Sequence, residues 1–225
     1  MSKFSFSYFI ILILILVMSI PGVSQTRVGK LGVGVDASIQ YMLGAGATNP
    51  SPAVGGGVSL SYSVMQYFGL RGKFCYSPIT WKGGTPTTFT TDMMSLNLYA
   101  GSDLMPNSTF NIFPFIGGGV AIFDPRDDNG KRAYVGAIPV SNFDFQMMGG
   151  LSIDYFFSEF WSASLMGEYV LTNSAYYAGS AGGIKNISNN DSFMRASIQV
   201  RYYLFDSAFI TKLLEAQRER SRRNK

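Results

Sequence analysis

The feature that most constrains the fold is a period-two alternation of apolar and polar residues between Met147 and Leu171. Leu151 and Ile153 alternate with polar residues in the first half of this stretch, and Trp161 begins the same pattern in the second half. Successive side chains of a strand point to opposite faces, so the alternation predicts two strands with unlike faces. The short aromatic segment Phe156–Phe160 between them predicts a tight turn.

The same alternation recurs along the chain and gives eight strand candidates. They are Leu31–Met42, Val54–Met65, Phe68–Tyr76, Met93–Gly101, Phe110–Phe123, Phe143–Tyr155, Trp161–Leu171 and Ser192–Phe205. Most of them reach the ~9–11 residues that a tilted strand needs to cross a bilayer. The fifth candidate is apolar or glycine on both faces, so its inward face cannot be identified. Its Pro114 is expected at a ladder end or a bulge.

The connections between these candidates alternate in length. Four are long and rich in Gly, Pro, Asn, Ser and Thr: Leu43–Ala53, Ile79–Asp92, Asp124–Asn142 and Thr172–Asp191. Three are short: Gln66–Tyr67, Ser102–Thr109 and Phe156–Phe160. Long loops on one side and short turns on the other are typical of outer-membrane barrels. The pattern predicts an all-β fold, an eight-stranded antiparallel up-and-down transmembrane β-barrel, with both chain ends on the periplasmic side.

Segments of different composition flank the predicted barrel. Residues 1–24 predict a signal peptide, with Lys3 as the positive region, an apolar run from Tyr8 to Ile20, and cleavage before Gln25. Residues 25–205 form the barrel domain, and residues 206–225 form a short basic periplasmic tail. An apolar stripe in that tail predicts a short helix capped by Asp206 or Ser207. The alternative for this segment is a solvated tail without a partner.

Composition excludes several kinds of function. The chain has no histidine and only one cysteine, Cys75, so histidine-based catalysis and cysteine metal clusters are ruled out. Residues 25–205 carry equal numbers of acidic and basic residues, which gives no basic surface for nucleic acid. The loop Asp124–Lys131 is rich in oxygen ligands, but its spacing differs from a calcium-binding loop, and it is predicted to be a plain turn. We therefore expect no enzyme activity, no cofactor and no metal.

The faces of the strands can be assigned in two ways. A soluble lipocalin-like barrel has an apolar interior, whereas a membrane barrel has an apolar exterior. The polar face here is built mainly from Gly and Ser and would make a poor water-facing surface, which favours the membrane barrel. Its lumen would then hold four acids and four bases as a network of ion pairs: Asp36, Arg71, Lys73, Asp144, Asp154, Glu168, Arg195 and Arg201. Because an eight-stranded barrel is narrow, such a network predicts a closed interior. Cys75 shares this parity and is expected to be an inert small residue.

Aromatic residues near the strand ends predict two interfacial girdles on the lipid-facing side. The set comprises Tyr41, Tyr62, Tyr67, Phe68, Tyr76, Tyr155, Phe156, Trp161, Tyr169 and Tyr202.

Three segments resemble small outer-membrane β-barrels of the OmpA/OmpX type. GGLSIDYFFSEFWSASLMGEYVL resembles their penultimate hairpin, FPFIGGGVAIF their Pro-aromatic-x-Gly strand, and MRASIQVRYYLF their closing strand. The resemblance covers about residues 28–205. It implies recognition of the closing strand by the outer-membrane insertion machinery. Larger members carry a peptidoglycan-binding domain after the barrel, whereas only Asp206–Lys225 follows here.

The expected function is a structural or interaction role in the outer membrane. Four external loops would serve membrane integrity, adhesion or the docking of an envelope component. One alternative is a narrow pore for small solutes or ions, and a second is a soluble lipocalin-like carrier of apolar ligands. The expected partners are outer-membrane lipid, the insertion machinery, and an envelope protein that contacts the loops or the tail.

Overall fold

The computed structural model describes residues 28–43, 48–82, 88–126, 130, 134–135, 138–139, 143–173 and 192–205. The predicted signal peptide and the predicted tail helix lie outside these residues, so they stay predictions together with the domain bounds. Among the described residues, no helix is both long and apolar enough to cross a membrane.

Eight long strands form the described body of the protein, which confirms the predicted number. We number them β1 to β8: Leu31–Met42, Ala53–Met65, Phe68–Lys82, Thr88–Ser102, Phe110–Arg126, Phe143–Phe156, Trp161–Thr172 and Ser192–Phe205. The bounds of β1 and β8 are those predicted from the alternation. Three short strands accompany them: Thr48–Pro50 pairs with β3, and Tyr134–Val135 pairs with Ile138–Pro139.

The eight strands close into an antiparallel up-and-down barrel, as predicted. Each strand pairs with its neighbours in sequence, and β1 pairs with β8 from Leu31↔Phe205 to Met42↔Phe193. Closure removes the free sheet edges, which could not be satisfied in lipid. We call the end with the connections Gln66–Tyr67, Asp103–Thr109 and Phe157–Phe160 the turn end, and the opposite end the loop end.

The strands β3, β4 and β5 extend further toward the loop end than predicted. Residues 79–82 and 88–92 of the predicted loop Ile79–Asp92 belong to β3 and β4, which pair as far as Lys82↔Thr88. This part of the sequence contains alternating Thr and aromatic residues, which favour strand structure even where the composition is polar. The segment Asp124–Arg126, predicted as part of a turn, likewise belongs to β5, where Arg126 donates to Asp124 over 2.7 Å.

Pro114 lies inside β5 but at the end of one of its two ladders. The pairing of β4 with β5 stops at Gly101↔Phe115, one residue before Pro114. On the other side Pro114 lies opposite Leu151 of β6. A proline has no backbone donor, so its position at a ladder end agrees with the expectation from sequence.

Burial alternates along the strands and assigns the two faces. In β1 every second residue from Gly32 to Met42 is buried, while Val35 and Ile39 are 62% and 55% exposed on the outside. Most of the buried polar side chains are Ser, Asn, Gln or charged residues of the lumen. An apolar interior, as in a lipocalin-like carrier, is therefore the wrong alternative. The apolar face points outward, as it does in a barrel that faces lipid.

Candidate functional site

The lumen is the site that the charged residues of the polar strand face predict. All eight predicted charged residues lie on its face, and seven of them form two groups of ion pairs. We call Asp36, Lys73, Glu168 and Arg195 the central cluster, and Arg71, Asp154 and Arg201 the turn-end cluster. Their side chains are at most 10% exposed, so water screens these charges weakly.

The central cluster is organised around Glu168 of β7. Glu168 lies directly opposite Arg195 of β8, and the Arg195 guanidinium Nη1 donates to its Oε1 over 3.0 Å. Lys73 Nζ lies 3.9 Å from the same oxygen and 3.2 Å from Asp36 Oδ2. Tyr99 donates its hydroxyl to Glu168 Oε2 over 3.0 Å. Two acids and two bases from four strands therefore neutralise one another.

The turn-end cluster is organised around Asp154 of β6. Arg71 Nη2 donates to Asp154 Oδ2 over 2.5 Å, and Arg201 Nη2 lies 3.5 Å from Oδ1. Ser152 adds a hydroxyl donor to Oδ1 at 2.7 Å. The second arginine also donates to Gln199 Oε1 over 2.8 Å. The Asp154 carboxylate thus contacts the guanidinium groups of two arginines, one from β3 and one from β8.

Each of the four bases expected near Glu168 and Asp154 contacts only one of these two acids, and Lys73 also contacts Asp36. Lys73 and Arg195 go to Glu168, and the other two arginines go to Asp154. The eighth predicted residue, Asp144, lies outside both clusters near the loop end. Its Oδ2 accepts a hydrogen bond from the backbone amide of Asn173 over 3.2 Å.

Several lumen residues were not singled out in the sequence. Gln40 accepts from Arg195 Nε over 3.0 Å, Ser197 accepts from Lys73 Nζ over 3.2 Å, and Tyr99 donates to Glu168. All three share the parity of the buried face, so their positions could have been inferred from the alternation. Asp103 and Asn111 are also buried and bond to each other at the turn end. Asp103 lies in a predicted turn, where no parity marks a residue as inward-facing.

Two phenylalanine rings cover the arginines at opposite ends of the paired charges. The Cζ atom of Arg195 lies 5.3 Å from the centre of the Phe193 ring, on the loop-end side. The Cζ atom of Arg71 lies 3.7 Å from the centre of the Phe113 ring, on the turn-end side. A guanidinium over an aromatic face is attracted by the ring quadrupole, and the ring also keeps water away. We call Phe193 and Phe113 the aromatic caps.

Apolar side chains fill much of the remaining lumen. The buried apolar cluster includes Met42, Phe123 and Val170 in the loop-end parts of their strands. The cavity among the turn-end lumen residues has a volume of about 10 Å³, which is about the space for one water molecule. An eight-stranded barrel is just wide enough for its own side chains, and these side chains fill it accordingly.

The outer surface carries the aromatic residues predicted as girdles, with one correction. Tyr41, Tyr62, Tyr76, Trp161, Tyr169 and Tyr202 are exposed on the lipid-facing side, and Tyr155 is half-buried there. Trp161 packs on Tyr202 with ring centres 4.9 Å apart. The prediction for Phe156 was wrong. Because β6 continues through Phe156, this ring points opposite to Tyr155, into the lumen, and lies 5.7 Å from Tyr203.

The remaining candidates for chemistry are a metal site and the thiol of Cys75. Among the described residues, no group of three or more Cys, Asp or Glu is placed to hold a metal ion. Cys75 is fully buried on the lumen face, with Arg195 Nη1 3.7 Å from its sulfur.

No family model matches the chain, and no curated protein sequence matches it either. Solved structures match it in fold. The outer membrane protein OprG from Pseudomonas aeruginosa is 14% identical, with a TM-score of 0.53 over 82% of this chain and 100% of that one. The attachment invasion locus protein Ail of Yersinia pestis, in complex with the heparin analogue sucrose octasulfate, is 10% identical, with a TM-score of 0.52 over 79% and 99%. A major outer membrane protein from Thermus thermophilus is 10% identical, with a TM-score of 0.50 over 77% and 99%.

These likenesses concern the fold, and they agree with the faces assigned above. A polar, ion-paired lumen and an apolar exterior with aromatic residues near its ends are the features of a barrel that spans a bilayer. The chain has the fold of the small eight-stranded barrels of the bacterial outer membrane, and its apolar exterior fits the hydrocarbon layer of a bilayer.

Proposed function

We propose that this outer-membrane barrel is a sealed structural element that presents its loop end to the outside for interaction. Its work is membrane integrity, adhesion or the docking of an envelope component, without catalysis. The observation that carries the proposal is the closed lumen. Seven charges pair with one another, and the aromatic caps cover the paired groups from both ends.

The lumen supports a sealed barrel better than a pore for a physical reason. An ion in transit would have to displace Glu168 or Asp154 from partners at 2.5 to 3.0 Å, at a site where water screens little. It would also have to pass apolar side chains, and hydrophobic constrictions exclude water and ions. The turn-end cavity beside these groups, with a volume of about 10 Å³, has room for about one water molecule.

Planar-bilayer recording separates this proposal from a narrow pore for solutes or ions. The sealed barrel should add no openings above those of a bilayer that received heat-denatured protein. Folding must be checked first by the shift in gel mobility between unheated and boiled samples. Large and stable openings from the folded protein would overturn the sealed barrel and favour the pore.

The amino-acid composition supports the absence of catalysis. The chain contains no histidine, so acid–base or nucleophilic mechanisms that use imidazole cannot operate.

The interaction role can be tested by co-purification from envelopes with the full chain and with a chain that lacks residues 206–225. A partner bound only by the full chain would assign binding to the tail, and one bound by both would assign it to the barrel and its loops. If neither form retains an envelope component, the docking role is wrong.

A further inference from the structure

The lipid-facing wall contains a depression that the sealed lumen does not explain. It spans the outer faces of β3 to β7 and has a volume of about 610 Å³. Its floor is made by three small residues, Ala100, Gly118 and Gly149, which face outward on adjacent strands. The volume lies in the range of small-molecule sites, about 300–1,000 Å³.

The floor glycines leave open space rather than relieving a clash. A Cβ atom on Gly118 would meet nothing closer than the carbonyl oxygen of Gln146 at 3.7 Å. A Cβ atom on Gly149 would meet nothing closer than the carbonyl oxygen of Phe115 at 3.8 Å. Side chains could therefore be added here without straining the barrel. The depression is open because these positions are glycine, although the backbone would accept a larger residue.

The walls of the depression are apolar and project outward. Leu98, Ile116 and Met147 are 66%, 74% and 70% exposed, among the most exposed apolar side chains described. Its lining includes no charged residue. Tyr169 brings a hydroxyl to the rim, and this hydroxyl donates to Ser192 Oγ over 3.0 Å. An occupant is therefore held by apolar contact alone.

A smaller depression of about 280 Å³ adjoins the first one. It lies over Gly72, and the two share Leu70 and Leu98 as a common ridge. Two neighbouring apolar depressions with one ridge between them fit a molecule with two parallel hydrocarbon chains.

We propose that the two depressions hold the acyl chains of one phospholipid, retained more firmly than the surrounding lipid. The occupant follows from continuity, because the depressions are part of the surface that faces membrane lipid. The larger depression is lined by no charged residue, and Arg71, which borders the smaller one, pairs with Asp154 in the lumen. No free cation of either lining would therefore select an anionic sugar-phosphate headgroup, so a phospholipid fits better than a lipopolysaccharide. This binding site is independent of whether the lumen conducts.

The test adds side chains to the floor of the larger depression and measures how much lipid stays bound to the protein. Gly118→Leu/Gly149→Leu places two side chains in the larger depression, and Gly167→Leu is the matched control. Gly167 also faces lipid, and its Cβ would meet nothing within 4 Å, but it does not line the depression. Each variant is purified in detergent with added phosphatidylethanolamine, and native mass spectrometry measures the lipid-bound fraction. Because each methylene group removed from apolar contact weakens binding roughly fourfold, we expect affinity on the order of tenfold lower in the double variant only.

Two results would overturn the proposal. One is equal lipid retention by the wild type, the double variant and the control. The other is a two-chain species in the wild type that the double variant loses, since this would make a second copy of the chain the occupant. If the leucine pair does not give a heat-modifiable band, Gly118→Ala/Gly149→Ala takes its place. Its lipid-bound fraction should fall by several-fold, and undiminished retention would contradict the proposal.

Discussion

Glu168 receives three contacts in the central cluster, from Arg195 at 3.0 Å, Tyr99 at 3.0 Å and Lys73 at 3.9 Å. At the scale of single residues it therefore carries more of the lumen's charge balance than the other acid of its cluster, Asp36. Removal of one partner from a buried pair leaves the other charge uncompensated, and this cost exceeds the net value of the pair itself.

Glu168→Gln should destabilise the barrel by about 3 kcal/mol. The substitution keeps the size of the side chain but leaves Lys73 and Arg195 with only Asp36 as a counter-charge. Urea unfolding, followed by gel mobility and tryptophan fluorescence, measures the free energy of unfolding. Glu159→Gln, at an exposed glutamate in a turn, is the control and should change stability by less than about 0.5 kcal/mol. Equal effects of the two substitutions would show that the ion pairs do not stabilise the barrel.

Gly34→Ala should disturb the turn-end cluster from the neighbouring wall. A Cβ atom at Gly34 would lie 2.7 Å from Arg201 Cγ and 2.9 Å from the carbonyl oxygen of Val200. Overpacking of this kind costs roughly 1–3 kcal/mol. Gly167→Ala meets nothing within 4 Å and should leave unfolding unchanged or slightly more difficult. If the Gly34 variant unfolds at the same urea concentration as the wild type, Arg201 is not held where the structure has it.

At the scale of strands, the aromatic caps decide whether the paired charges meet water. Phe113→Ala/Phe193→Ala removes both rings and should admit water to the two clusters. We expect the double variant to show small, frequent current fluctuations in planar bilayers, while the wild type stays silent. Phe145→Ala, which removes a ring that is 63% exposed on the outside, should be as silent as the wild type. A silent double variant that is folded would mean that the ion pairs seal the lumen without the caps.

The strands were largely predictable, and the errors have identifiable physical causes. The two-faced strands β1 and β8 carry an unbroken alternation, and their predicted bounds match the structure. The strand β5 is apolar on both faces, so Phe113 could not be recognised as a cap. Phe156 was predicted on the outside as an aromatic residue of the turn at a strand end, but β6 continues through it, and adjacent residues of one strand point opposite ways. The extensions of β3 and β4 are rich in threonine, a composition that the sequence alone does not distinguish from a loop.

The candidate site was predictable in composition but not in pairing. Parity alone identifies the eight charged residues of the lumen face, because it depends only on the alternation. The pairing depends on how the closed barrel brings distant strands together. Arg71 and Asp154 are 83 residues apart in sequence, and Lys73 and Ser197 are 124 apart. No local pattern could assign Asp154 to two arginines and place Asp144 outside both clusters.

At the scale of the whole molecule, the barrel inverts the arrangement of a soluble protein. Seven charged groups lie inside as ion pairs, and most of the large apolar side chains of its strands lie outside toward lipid. Because the lumen pairs join strands from both halves of the chain, barrel closure and charge pairing support each other. We infer that the same closure keeps water from the lumen.

The reactivity of Cys75 tests the seal most directly. Cys75 is the only cysteine of the chain and lies fully buried on the lumen face beside Arg195. In folded protein in liposomes, a small charged thiol reagent should leave Cys75 unmodified until the barrel is denatured. An exposed turn cysteine, Glu159→Cys on a Cys75→Ser background, should react at once as the positive control. Removal of both aromatic caps should make Cys75 reactive in the folded barrel. Rapid labelling of Cys75 in the folded wild type would contradict the sealed lumen.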